Sequence, residues 1–150
     1  MHNAELLTQL QQWARELGFQ QVGVSDIDVG RHAQYLQRWL QNGYHADMHW
    51  MQQHAALREH PEQLHAGALR VISVRMDYLS DQDSHLIAKV NAEGGAYIAR
   101  YALGRDYHKW MRKRLALLAQ KIETQAAHTH RAVVDSAPVL ERAFAQKSGL

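Results

Sequence analysis

Cysteine is absent from all 150 residues. Its absence excludes disulfides, a thiolate nucleophile, cysteine-ligated zinc and any iron–sulfur cluster held by this chain alone. No run of 18 apolar residues occurs, so no helical membrane span is read. The opening MHNAELLTQLQQW has no basic segment followed by an apolar one, so no secretory leader is read and a cytoplasmic location is expected. There is no P-loop and no G-x-G-x-x-G, and Ser136 lacks the G-x-S-x-G elbow. Neither a nucleotide-dependent enzyme nor a serine hydrolase is therefore indicated. Internal repeats and low-complexity segments are missing too. Excess charge is small: the net charge is +2 with histidine neutral, and the pI is about 9.0. That balance is compatible with RNA without pointing to it, although the 11 histidines add positive charge as the pH falls toward about 6.

What is present is an apolar share of 46%, enough for a core in one domain, or in one domain and part of another. Leu6, Leu10, Trp13 and Leu17 recur at helical spacing over residues 4–17, and Gly18 is placed to end that helix. Phe19 to Val24 reads as a short strand. A second helix is expected from Arg31 to Gln41, closed by Asn42-Gly43. Asp47 is placed to cap a third that buries Met48, Met51 and Ala55, with Pro61 turning the chain. Leu69 to Val74 reads as a second strand and Ala96 to Ala102 as a third. The polar stretch Asp77 to Gly95 between them reads as a mobile loop. Asp106 is placed to cap a long helix from Tyr107 to about Thr124. Ala132, Val133 and Val134 read as a fourth strand, followed by a helix with Pro138 in its first turn and Gly149 as its stop. The expected fold is α/β (α+β): a small central sheet of about four strands flanked by helices.

Asp135 then sits at a strand-to-helix corner, where ligands meet α/β proteins. As a bare residue it has two readings, a helix cap or turn residue and a catalytic acid. His45 and His49 are four apart, which on a helix places two imidazoles on one face. The general-base Glu of H-E-x-x-H is missing, so surface or packing histidines are expected and no metal site is assigned. Lys109, Arg112, Lys113 and Arg114 make a basic run on the long helix, either a solvated face or a patch for nucleic-acid phosphates. Arg58 is harder to read as core, because a buried Arg needs a partner. Arg142 is either a neighbour to Glu141 or faces the same cavity as Asp135.

Three segments carry a resemblance. The run VVDSAPVLERAFAQKSGL, ending at Leu150, resembles V-D-[ST]-x-P-[VL]-x-E-R of the epoxyqueuosine reductase family. Gly43 to Met51, with Arg58 and Pro61, is similar to that family's G-[YMF]-x-[GA]-x-M-x-[WY]-[ML]…R-x-x-P. Ala99 to His108 is similar to A-R-Y-A-x-G-x-D-Y-H. The resemblance runs from about Leu6 to Leu150. It implies a cobalamin-dependent oxidoreductase that reduces epoxyqueuosine to queuosine at the tRNA wobble position, with Asp135 as proton donor. It implies cofactor-binding roles for Arg58, Tyr101, Asp106, Tyr107, Asp135 and Arg142, and tRNA contacts for Arg105, His108, Lys109 and Lys113. In this light residues 1–150 are expected to be a cobalamin-binding, catalytic-acid domain, the N-terminal portion of a longer chain. The family's 4Fe-4S clusters would lie in the missing C-terminal region, so the portion alone is expected to be inactive and open to self-association. The expected partners are cobalamin and tRNA carrying epoxyqueuosine, with no membrane. Two further readings stay open, a non-catalytic cobalamin- or tRNA-binding module and a metal protein using His45 and His49.

Overall fold

The computed structural model describes residues 3–78, 98–102 and 105–150. Helix α1 spans Asn3–Glu16. Gly18, at φ 86°, ends it: its N–H donates to Arg15 O at 2.9 Å, and the Phe19 N–H donates to Ala14 O at 2.9 Å. A residue without Cβ is what this left-handed stop requires. The chain turns there into β1, Gln21–Ser25.

Strand β1 pairs antiparallel with β2, Val71–Arg75, in the register Gln21↔Arg75 to Ser25↔Val71. Between them the Asp26 and Asp28 carboxylates each accept a backbone N–H two residues on, at 2.9 Å, and lead into α2, Arg31–Gln41. Three short helices follow: α3 (His49–Gln53), α4 (Ala55–Glu59) and α5 (Pro61–Leu64). After a single 3-10 turn at Arg100–Ala102 come the long α6, Tyr107–Glu123, and the closing α7, Glu141–Lys147.

The core lies between α1, α6 and the sheet. Leu10, Ala14, Phe19 and Leu118 are buried at its centre, with Trp13, Val22, Val24, Val74, Met111, Leu115 and Ile122 packed around them. Arg114 ties α6 to the end of α1 by donating from Nε to Leu17 O at 3.1 Å. Helix α7 packs on both strands and buries Ala143 and Phe144. Its C-terminal end runs so close to β1 that a Cβ on Gly23 would sit 2.3 Å from the Ser148 carbonyl oxygen. Lys147 ties the same end to the turn after β1, pairing with Asp26 and donating to Asp28 O at 2.8 Å. No helix among the described residues is long and apolar enough to cross a membrane.

The architecture is thus mixed helix and sheet, with a smaller sheet than expected: two strands among the described residues rather than about four. Residues 131–134 have no ladder partner among the described residues. A short apolar run needs a neighbouring strand to become one, and here Val134 is buried by side-chain packing instead. Of the strand expected at Ala96 to Ala102, the first two residues lie outside the described residues, and Arg100–Ala102 is a 3-10 turn, with Ala102 N–H donating to Ala99 O at 2.9 Å. Most of the loop expected from Asp77 to Gly95 also lies outside the described residues. Asp47 does not cap the third helix; α3 begins behind Met48, and Met48 is exposed. Pro138 precedes α7, which starts only at Glu141.

The close approach at Gly23 gives a direct expectation. Gly23→Ala pushes backbone against backbone and should cost on the order of 1–3 kcal/mol, as overpacking does. Urea unfolding reads it as a lower midpoint at unchanged slope; an unchanged midpoint would show that α7 does not seat on β1 as described.

Candidate active site

The N-terminus of α6 and the turn before α7 meet at one cluster. Asp106 is the α6 N-cap: its Oδ1 accepts the His108 backbone N–H at 3.0 Å and also His108 Nδ1 at 2.7 Å. Capping and ring orientation are therefore one act. The other ring nitrogen, His108 Nε2, lies 2.5 Å from Asp135 Oδ1. Tyr107 donates its hydroxyl to Asp135 Oδ2, and the Tyr107 and His108 rings stack at 4.2 Å. Tyr101 meets Tyr107 edge-on at 6.2 Å.

Asp135 is held from its backbone as well. Its φ is +34°, the left-handed region that non-glycine residues rarely enter and that Asp tolerates best. Its N–H donates to Glu141 Oε1 at 2.8 Å, so the first residue of α7 closes the 135–141 turn. A conformation this uncommon persists only where the surroundings over-determine it, and such positions cluster at functional sites.

The electrostatics follow from these contacts. The hydrogen bond to Asp106, and behind it Asp135, pushes His108 above the ordinary histidine value against some loss of hydration. The same bond holds Asp106 below the usual carboxylate range. The Asp135 carboxylate pushes the Tyr107 phenol up to about 12, so Tyr107 keeps its proton at neutral pH. Loss of hydration pushes Glu141 up, more than the Asp135 N–H pulls it down.

Beside the cluster lies a cleft of about 500 Å³. Trp50, Leu57, Leu64 and Pro138 supply its apolar wall, Arg58 and Arg131 its cations, and His54, Gln63 and Ser136 the remainder. Ser136 follows Asp135, so cleft and cluster adjoin. Arg58 is 8% exposed, its Nη1 reaching Trp50 O and Met51 O at 3.4 Å each; burial pushes its value down, yet a guanidinium stays charged. Arg131 donates to Leu64 O at 2.9 Å.

Of the residues singled out from sequence, Asp106, Tyr107, His108 and Asp135 come together, with Tyr101 at their margin. Arg58 lies in the adjoining cleft. Arg142 is exposed on α7 outside the hydrogen-bonded cluster, and Arg105, Lys109 and Lys113 are exposed around the start of α6. His108, expected to face tRNA, is engaged by two carboxylates. Asp135 was expected to be shielded at a strand end, but the segment is a turn and leaves its side chain 46% exposed. His45 and His49 do not share a helix: His45 lies in the turn before α3, its ring tilted on Trp39, and His49 opens α3. Among the described residues no group of three or more acidic or histidine side chains is placed to hold a metal ion. Sequence reading missed the Glu141 hook and the cleft residue Arg131. An acidic residue in the first turn of the helix after Asp135 was the available signal for Glu141.

The model of the family described as epoxyqueuosine reductase QueG, DUF1730, matches residues 58–136. The chain belongs to this family. The matched span contains Arg58, Tyr101 and every member of the cluster except Glu141. Epoxyqueuosine reductase of Pseudomonas aeruginosa is 51% identical over 148 residues, which is 98% of this chain and 41% of that protein. Those of Aliivibrio fischeri and Escherichia coli are 48% and 47% identical, over 97% of this chain and 39% and 38% of theirs. The chain thus spans about two-fifths of the length of these curated relatives. No solved structure matches it. In family terms the sequence resemblance is confirmed, and the family segments around Ala99 to His108 and Val134 to Arg142 are the two that build the cluster.

Glu141→Ala removes the acceptor for the Asp135 N–H. It should cost about 0.5–1.5 kcal/mol and speed hydrogen exchange at the Asp135 amide. Unchanged exchange there would show that the turn holds its shape without Glu141.

Proposed function

We propose that this chain is the part of an epoxyqueuosine reductase that binds cobalamin and donates a proton from Asp135 while epoxyqueuosine in tRNA is reduced to queuosine. The observation that carries the reading is the carboxylate of Asp135, gripped at both oxygens by Tyr107 and His108 in a left-handed turn beside the cleft.

The cleft residues fit a corrin. Trp50, 52% exposed, with Leu57, Leu64 and Pro138 gives an apolar wall for a large flat ring. Arg58 and Arg131 give cationic donors for amide arms and a phosphate-bearing tail. When bound, the cofactor supplies the electrons that reduce the epoxide. The chain's own residues do the rest. Opening the ring develops charge on oxygen, which a positioned acid must protonate. Each carboxylate oxygen of Asp135 has two lone pairs, and one is used on each, so the group can still bind a proton and reach a substrate oxygen. Exclusion of water from its exposed face on loading raises its proton affinity, as desolvation does for any carboxyl. Tyr107, Glu141 and the positive φ fix where that proton is offered.

Arg105, Lys109 and Lys113, exposed next to the cluster, are the residues proposed to meet tRNA phosphates, which makes binding fall with salt. A tRNA substrate puts the enzyme in the cytoplasm. With no cysteine here, 4Fe-4S clusters that pass electrons to cobalt would have to be held by residues outside this chain. Turnover is therefore measured in a chain of the relatives' full length. There Asp135→Asn should retain cobalamin, seen in its visible absorption, and lose about 10²–10⁴-fold in turnover. Normal turnover with cobalamin bound would remove the acid role.

A further inference from the structure

Conversion of an epoxide to an alkene breaks both C–O bonds, forms a C=C bond and releases the oxygen as water. It consumes two electrons and two protons. In the reading above the electrons come from a reduced corrinoid, and Asp135 offers a proton. One carboxyl carries one proton, so the second must come from elsewhere.

We infer that His108 supplies it through Asp135, with Asp106 holding the ring in place, a role that rests on the Asp135 reading. Both ring nitrogens of His108 face carboxylate oxygens, Nδ1 at 2.7 Å from Asp106 and Nε2 at 2.5 Å from Asp135. Ionised carboxylates only accept hydrogen bonds. With both ionised, the pair of contacts is satisfied when the ring carries two N–H groups, so the resting cluster stores one proton beyond a neutral imidazole. The raised proton affinity of His108 agrees with this. Tyr107 is not the source, because its phenol, pushed up to about 12, releases its proton far less readily than an imidazolium. The other groups near the ring are Tyr101, edge-on to Tyr107, Arg112, which acts on Asp106, and Glu141, which accepts the Asp135 backbone N–H and is repelled by the Asp135 carboxylate.

The proton sequence balances. Asp135, ionised at rest, takes up a proton from solvent as loading covers its exposed face; it then protonates the oxygen as the first C–O bond breaks and becomes a carboxylate again. The His108 Nε2–H bond then breaks and its proton passes to Asp135 Oδ1, leaving a neutral ring that still donates from Nδ1 to Asp106. Asp135 gives this second proton to the hydroxyl, which departs as water while the second C–O bond breaks. The His108 side chain, 29% exposed, is recharged from solvent. His108 is a positioning residue in this sense: it acts through Asp135 and does not touch substrate.

Two measurements test the assignment. In this chain, the ring nitrogens of His108 are followed by NMR against pH, with its signal identified by its loss in His108→Gln. The midpoint should lie above the ordinary value of about 6.5, and Asp106→Asn should bring it down. In the full-length enzyme His108→Gln should lower kcat about 10²-fold with KM little changed, and should abolish the loss of activity that otherwise occurs as the pH rises through the His108 midpoint. Asp106→Asn should move that loss to lower pH. A midpoint at or below 6.5 that Asp106→Asn does not move overturns the inference, as does a His108→Gln enzyme with wild-type kcat and pH profile. If His108→Gln is wild-type while Asp135→Asn is inactive, only the His108 role fails. If both are wild-type, the Asp135 reading has failed as well.

Discussion

The grip of Tyr107 and His108 on the Asp135 carboxylate is the contact on which the arrangement turns. It joins two segments 28 residues apart, the start of α6 and the turn before α7, which no ladder connects. Its geometry depends on two local devices. Asp106 caps α6 and in the same stroke aims His108, because one oxygen, Oδ1, accepts both the backbone N–H and the ring N–H. Glu141 takes the Asp135 N–H and holds the left-handed turn that presents the carboxyl. Four polar side chains and one backbone dihedral thus define a single position for one acid.

The scaffold exists to hold those two segments at the right separation. Helix α6 is fixed by its apolar face on α1 and the sheet, and by Arg114 reaching Leu17 O. Helix α7 is fixed from the other side by Phe144, by its approach to Gly23 and by Lys147 on Asp26 and Asp28. Two-stranded sheets are marginal alone; here helices on both faces supply the burial that makes the pair stable. The cluster sits not in the core of this scaffold but at its surface, where the proposed ligand could reach it.

Periodicity made much of the fold legible. The boundaries of α2 and α6 follow from apolar spacing, from Asn42-Gly43 and from the Asp106 cap, all local features of strong signal. The strands were less legible. Val71–Arg75 has a partner, whereas Ala132 to Val134, equally apolar, has none among the described residues; pairing is a long-range fact that composition does not carry. The cluster was legible through family segments, which named Asp106, Tyr107, His108 and Asp135 together without saying what each touches. That His108 stands between two carboxylates, and that Asp135 is exposed in this chain, are consequences of a turn with positive φ, and no residue pattern announces one at Asp.

The account holds that Asp135 becomes an acid when a flat ligand covers its exposed face and removes water. The direct measurement is the carboxyl carbon shift of Asp135, followed by NMR against pH with and without diamagnetic cob(III)alamin. The account predicts that the titration midpoint rises when cobalamin is present, in step with the change in its visible spectrum. A midpoint that stays put while cobalamin binds would contradict it.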